Sequence, residues 1–313
     1  MFIHASSEYV PERVVDNDYF SALTGRPTTW FEQLTGIRQR RRAAQGENAN
    51  TMAIAAVEDL TRQSANILDG VDLIIGASYT PWDTIGTIAH AIQKHFVIRG
   101  ARALYLSTAC SSFIDALEIV AAYFQSGRAT KALVVAVEHN SLYSRDSDDK
   151  SGHLWGDGAA ALVITRERSG QGIEIVDVRA VGRGDIGRGP EGIQMIPHQD
   201  GLVMQYGKDI FMHACREMVA AAQNILTRNG LDIDAVQLVI PHQANKRIID
   251  CVTEHLKMSP ERVALTIQEL GNTGCASVAI TYHRHWQRLS RGQIGVIATF
   301  GGGYSAGAAL LRG

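Results

Sequence analysis

The chain has 313 residues, 45% hydrophobic and 20% charged, enough to bury a large core in one big domain or two closely packed halves. Its formal net charge of -2 excludes the basic footprint of a nucleic-acid binder. No apolar run approaches the ~20 residues of a membrane span, and Met1-Phe2-Ile3-His4-Ala5 lacks the basic start and apolar core of a signal peptide, so a soluble cytoplasmic protein is expected.

In chain order, the cluster Arg38, Arg40, Arg41 and Arg42 follows Gly36 and reads as a solvated turn. A helical apolar period over 50–66 leads to a strand at 73–76 and a helix at 88–96. A strand at 103–106 ends in small residues and Cys110, after which Phe113, Leu117, Val120, Ala121 and Phe124 recur at helical spacing up to Gly127. A strand at 132–137, a turn at Gly156-Asp157-Gly158 and a strand at 160–164 close this half. The order then repeats: helix 209–228 stopped at Gly230, strand 236–240, helix 246–256, strand 263–267 and helix 277–289. A strand at 295–300, the turn Gly301-Gly302-Gly303 and a strand at 306–311 finish it. This predicts an α/β protein of two similar halves, 1–168 and 169–313, with buried, mostly parallel sheets and a short polar junction near 166–172.

Cys110 is placed at a helix N-terminus, where free amides and the dipole favour thiolate and can hold an oxyanion. The plain alternative is an inert buried thiol. With Cys215, Cys251 and Cys275 it forms no Cys-x-x-Cys and no close pair in sequence, so reduced thiols are expected. The glycine turns lack the Lys-Ser/Thr of a phosphate loop and read as backbone turns needing positive φ, with the Gly302 amide a candidate oxyanion donor. In Leu238-Val239-Ile240-Pro241-His242-Gln243-Ala244-Asn245, His242 falls just past a strand's C-terminal end. In Leu270-Gly271-Asn272-Thr273-Gly274-Cys275-Ala276-Ser277, Asn272 precedes a helix. Each alone reads as a core histidine or a turn residue. Together with Cys110 they occupy equivalent junctions, past a strand and ahead of a helix, which facing halves bring to one site. No His/Cys/Asp cluster has metal-ligand spacing.

The segments Ser107-Thr108-Ala109-Cys110-Ser111-Ser112-Phe113, Trp155-Gly156-Asp157-Gly158, Pro241-His242-Gln243-Ala244-Asn245, Gly271-Asn272-Thr273-Gly274-Cys275-Ala276-Ser277 and Phe300-Gly301-Gly302-Gly303 are similar to β-ketoacyl-acyl-carrier-protein synthase III, of the thiolase superfamily. The resemblance covers essentially the whole chain, beginning with Tyr9-Val10-Pro11-Glu12-Arg13 and Leu34-Thr35-Gly36-Ile37-Arg38. It implies the thiolase fold, two βαβαβαββ halves in αβαβα layers, a homodimer, and a Cys-His-Asn triad for decarboxylative condensation. In those terms Cys110 carries the acyl group, and the amides of Cys110 and Gly302 hold the oxyanion. His242 and Asn272 stabilise the enolate of a malonyl thioester on acyl carrier protein. No metal or permanent cofactor is implied; coenzyme A or phosphopantetheine thioesters are the substrates, with an acyl-coenzyme A or acyl-carrier-protein donor.

Trp30 matches a tryptophan that stacks on the coenzyme A adenine, and Asn245 and Arg247 join it as cofactor-facing residues, Arg247 also matching a basic docking position for the acidic carrier protein. Ile85 and Phe300 are placed in the substrate pocket, Ile85 reaching across the dimer. Departures are Leu34 for a usual arginine, Asp149-Lys150 where a second adenine-facing arginine is expected, Met212 and His255 for docking lysines, and Ser111-Ser112 for alanine and glycine. The two serines read as helix-start residues of little functional weight. These departures suggest a specialised synthase, serving secondary metabolism with a carrier-bound or unusual acyl donor. Rival readings are acyl transfer to an oxygen or nitrogen nucleophile, an inactive thiolase-fold binding subunit, and a papain-like protease, whose local signature is absent. A hydroxymethylglutaryl-type synthase needs an extra glutamate, and 77–87 holds only Asp83. The loops at 79–88 and 190–204 set the pocket walls, and the acyl group they select is not legible.

Overall fold

Continuous apolar runs four to eight residues long suit strands covered on both faces. In the computed structural model, which describes every residue except Ser169 and Gln171, such runs form much of one nine-stranded sheet. Its strands are β1 (Phe2–Tyr9), β2 (Leu73–Ala77), β3 (Arg102–Leu106), β4 (Lys131–His139), β5 (Asp157–Thr165), β6 (Ile173–Gly182), β7 (Val236–Pro241), β8 (Ile294–Gly301) and β9 (Ser305–Arg312). In space they run β7-β8-β9-β6-β1-β5-β4-β2-β3.

Outward from the β1–β6 seam the two sides match. β1 pairs antiparallel with β5 and β5 with β4, whereas β4 runs parallel to β2 and β2 to β3. On the other side β6 pairs antiparallel with β9 and β9 with β8, and β8 runs parallel to β7. The sheet is therefore mixed rather than mostly parallel: β8 turns straight back into β9 at 302–304, and β4 returns through the longer segment 140–156 to pair antiparallel with β5. The place of β3 in the second half is held by Val263 alone, bridged in parallel to Val239. The strand expected at 263–267 does not form. The Gln243 side-chain oxygen takes the amide hydrogens of Thr266 and Ile267 at 2.9 and 3.1 Å, and Ile267–Leu270 coils into a short helix. The junction near 166–172 includes Ser169 and Gln171, which lie outside the described residues.

Strand alternation sorts side chains between layers. On β4, Ala132, Val134 and Ala136 face a central core that also holds Leu73 and Ile75 of β2 and Leu238 and Ile240 of β7. Two helices share that core, α3 (Ser112–Gln125) through Phe113, Leu117 and Val120, and α6 (Ala276–His285) through Val278, Ala279 and Tyr282. Leu133, Val135 and Val137 face the other way, onto α1 (Ala49–Gln63) and α2 (Ile88–His95). The second half is covered likewise by α4 (Gly207–Arg228) and α5 (Lys246–His255) over Val239, Val296, Ala308 and Leu310. The layers are thus αβαβα.

The arginine cluster is not a solvated turn. Gln39–Arg42 is a strand paired with Arg13–Asp16, and Arg40 is fully buried. Its guanidinium donates to the Val15 and His153 carbonyls and, at 2.9 Å, to Asn17 Oδ1. Burial still pulls it down to about 9. Arg42 grips Asp146 with two bonds of 2.6 and 2.7 Å. Gly156 and Gly158 do not have positive φ; Asp157 and Gly158 open β5, and a Cβ on Gly156 would overlap the Leu270 carbonyl oxygen. All four cysteines are free, but Cys215 on α4 and Cys251 on α5 stand thiol to thiol.

Candidate active site

Chain leaving β3 must turn sharply to start α3, and Ala109 takes a φ of +52° to do so. For a residue with a Cβ that left-handed conformation costs roughly 1–2 kcal/mol. Ser112 offsets it, its hydroxyl accepting the Thr108 amide at 2.8 Å and donating to the Ala109 carbonyl at 2.6 Å. Ser111 donates to the Ser305 carbonyl at 2.8 Å, which ties the turn to β9 of the other half. The two serines are structural anchors of the Cys110 turn, more than helix-start residues.

The second glycine turn packs against the first. A Cβ on Gly301 would stand 2.7 Å from the Cys110 nitrogen and 2.9 Å from that of Ser111, so close approach requires glycine there; only Gly303 of the triplet, at φ +84°, needs it for conformation. Gly301→Ala is expected to cost about 1–3 kcal/mol of stability by overpacking and to cut thiol reactivity at Cys110. Thermal unfolding and the rate of Cys110 alkylation measure the two, and an unchanged rate would show that the turn tolerates displacement.

The Cys110 sulfur lies within hydrogen-bonding reach of the amides of Gly302 and Cys110 and of the Tyr79 hydroxyl. All three favour thiolate, yet burial and the neighbouring Glu138 outweigh them, and the thiol is pushed up to about 12. The helix-start expectation of a ready thiolate is reversed. Glu138, at the end of β4, was invisible as a site residue in the sequence; its one signal is a carboxylate closing an apolar run, a residue almost never fully buried without partners. It takes hydrogen bonds from the hydroxyls of Ser78 and Thr80, from the amides of Tyr79 and Thr80 at 3.3 and 3.1 Å, and from the Cys275 amide at 3.4 Å. Burial pushes it up to about 7.

His242 follows β7, its amide bonded to the Ala298 carbonyl at 2.8 Å. Burial brings the imidazole down to about 4, so it is neutral at neutral pH. Ser277 Oγ lies 2.7 Å from Nδ1 and accepts the Gln243 amide at 3.4 Å. The hydrogen-bond network therefore assigns the serine proton to Nδ1 and leaves Nε2–H as a donor. Asn272 is held by its backbone amide on the Leu154 carbonyl at 2.8 Å, and its Oδ1 accepts the Gly274 amide at 2.9 Å. That leaves the Nδ2 hydrogens to donate.

Cys110, His242 and Asn272 line one cavity of about 410 Å³, with Phe300, Leu34, Asn245 and the cations Lys150, Lys208 and Arg247. A second cavity of about 260 Å³ shares Cys110 and is walled by Tyr79, Trp155, Ile193, Met195, Leu202 and Gly302. Residues of both expected wall loops are among these. Trp30 is not on the wall. It meets the edge of His153, which is, at 5.6 Å, and its ring is covered by the Arg26 guanidinium at 5.2 Å. Ile85 is 87% exposed and lines neither cavity of this chain.

Two matched α/β halves whose junction loops meet around one buried cysteine make this a thiolase-fold acyltransferase. The family described as 3-oxoacyl-[acyl-carrier-protein] synthase III matches residues 105–184, and its C-terminal part residues 226–313. The chain belongs to that β-ketoacyl-acyl-carrier-protein synthase III family. Its relative in Nitratidesulfovibrio vulgaris, a β-ketoacyl-[acyl-carrier-protein] synthase III, is 36% identical over 97% of this chain and 95% of its own. Among solved structures, the Aquifex aeolicus 3-oxoacyl-[acyl-carrier-protein] synthase III superposes with a TM-score of 0.92 at 32% identity, covering 100% of this chain and 99% of that one. The priming β-ketosynthase of the R1128 polyketide biosynthetic pathway gives 0.90 at 29% identity, covering 99% and 96%.

Proposed function

We propose that the protein joins an acyl group to a malonyl-type thioester on acyl carrier protein by decarboxylative Claisen condensation, giving a β-ketoacyl product, with Cys110, His242 and Asn272 as the catalytic residues. The reading is carried by one observation: a thiol and two neutral donors, Nε2–H of His242 and Nδ2–H of Asn272, line the same cavity. Cys110 attacks the acyl thioester, and the amides of Gly302 and Cys110 receive the developing oxyanion. The thiol proton passes to solvent, and the departing carrier thiolate takes a proton from solvent. The malonyl thioester then enters, and its carbonyl accepts from His242 and Asn272. Both donors stay neutral, so they favour negative charge growing on that oxygen as carbon dioxide leaves. The carbanion attacks the acyl-cysteine and frees it.

Lys150, Lys208 and Arg247 put positive charge on the cavity wall, where the phosphate of a phosphopantetheine arm is drawn. Asn245 caps α5 through the Arg247 amide at 2.8 Å and so fixes that side of the wall. We place the protein in the cytoplasm as a homodimer, with exposed Ile85 and Trp82 covered by a second copy and Ile85 entering its partner's tunnel. Among the described residues, no helix is long and apolar enough to cross a membrane.

The test is a panel of acyl groups, each offered on coenzyme A and on carrier protein, read by intact mass, followed by labelled malonyl carrier protein. The expected result is a mass gain localised to Cys110 and labelled carbon dioxide on the second addition. A gain without carbon dioxide supports transfer to an oxygen or nitrogen nucleophile, and no gain from any donor supports a binding subunit. Loading from the carrier far faster than from coenzyme A marks a specialised enzyme; a strong preference for acetyl-coenzyme A would rule that out.

A further inference from the structure

Tyr79 lines the smaller cavity beside the candidate nucleophile and has no part in the condensation derived above. Tyr79 follows β2 in a loop pinned by Glu138, which accepts its amide, the Thr80 amide and the Ser78 hydroxyl. The ring fills the space that Gly274 leaves open, since a Cβ there would stand 2.7 Å from Tyr79 Cε1 and 2.7 Å from Glu138 Cγ. Its orientation is therefore set by packing. The hydroxyl donates to Asn140 Oδ1 at 2.8 Å and lies in hydrogen-bonding reach of Cys110 Sγ, and both side chains line the smaller cavity.

A phenol has one proton to give and lone pairs to receive another. While Cys110 is a thiol, its S–H donates to Tyr79 Oη, and the Oη hydrogen goes to Asn140. Once the sulfur is anionic, the O–H rotates onto it. We propose that Tyr79 is a further catalytic residue of the acylation step, a switchable donor that first holds the Cys110 thiol and then stabilises its thiolate. The proposal rests on Cys110 being the nucleophile. In the step the Cys110 S–H bond breaks, a bond forms from sulfur to the acyl carbon, and the acyl bond to the donor sulfur breaks. The thiol proton passes to solvent as the thiolate forms, the departing thiolate takes a proton from solvent, and Tyr79 keeps its own.

The surroundings make such a donor consequential. Glu138 from β4 and Cys275 at the start of α6 both face the Tyr79–Cys110 pair, and both oppose negative charge there. His242, past β7, is neutral. Among the described residues, the donors facing the sulfur are the Gly302 and Cys110 amides, which are fixed in the backbone, and the Tyr79 hydroxyl, which can turn. Burial raises the phenol's own ionisation well above its usual range, so it remains a donor.

The experiment follows the pH dependence of Cys110 alkylation by iodoacetamide and the rate of acyl loading, in the full chain. Tyr79→Phe keeps the ring and its packing but removes the donor. Its alkylation profile is expected to move up by about one pH unit, and loading to fall about tenfold. Incorporating 3-fluorotyrosine at position 79, a stronger donor of nearly the same size, is expected to move the profile down. Wild-type profiles and loading rates in both variants would overturn the proposal. Should Tyr79→Phe fail to fold, the fluorotyrosine protein decides alone, by a downward shift or by none. Absence of an acyl adduct on Cys110 in the wild type is a different failure, that of the nucleophile assignment.

Discussion

Cys110→Ala is expected to take up no acyl group from any thioester, with a loss of at least about 10⁴-fold in overall rate, as for removal of other covalent nucleophiles. The side chain is small and lies where its turn is held by Ser111 and Ser112, so the variant should fold and still bind thioesters. Intact mass separates the two effects. A mass gain in the variant would place the nucleophile elsewhere, with Cys275, the other thiol facing Glu138, as the first position to check. The wild-type thiol carries a matching pH signature. A group pushed up to about 12 is almost wholly protonated at neutral pH, and its thiolate fraction grows tenfold per unit below that value. Alkylation should therefore keep climbing between pH 7 and 10, where a plateau near pH 7 would mean a thiolate already stabilised. Glu138→Gln removes an opposing charge and should displace the climb to lower pH.

His242→Ala is expected to separate the two half-reactions. Loading should survive, because Cys110, Gly302 and Tyr79 are untouched, whereas release of labelled carbon dioxide should fall by about 10²–10³, the usual cost of one oxyanion donor. The imidazole sits at about 4, so it is neutral across the range from pH 6 to 9, and carbon dioxide release should show no titration from it there. A drop on passing from pH 6 to 8 would mean that the charged imidazolium is the working form. Full condensation by His242→Ala would refute the assignment. Ser277→Ala gives a milder check, since it frees Nδ1 to carry the proton and should slow decarboxylation without touching loading.

How much of this was legible in the sequence depends on where each determinant lies along the chain. The strands β2, β4 and β8 and the helices α3 and α4 announce themselves through local apolar runs and period. The meeting of Cys110, His242 and Asn272 at one cavity was legible for a similar reason, each being marked by its own short segment and the element beside it. Elements decided by distant partners were not. Thr266 and Ile267 look like strand until Gln243 takes their amides. Arg40 looks solvated until Val15, Asn17 and His153 close around it. The ionisation of Cys110 went the other way from its local cue because burial and Glu138 act through the assembled core, and a helix start in sequence conveys neither.

The approach of Gly301 to the Cys110 backbone has a consequence for the molecule as a pair of repeats. The thiol is supplied by one repeat and the Gly302 amide facing it by the other, with no room for even a methyl group where the two repeats touch. The candidate nucleophile and one of the two amides facing it thus come from different repeats, while the second amide, that of Cys110, comes with the thiol. Their symmetry is architectural, and their labour is divided.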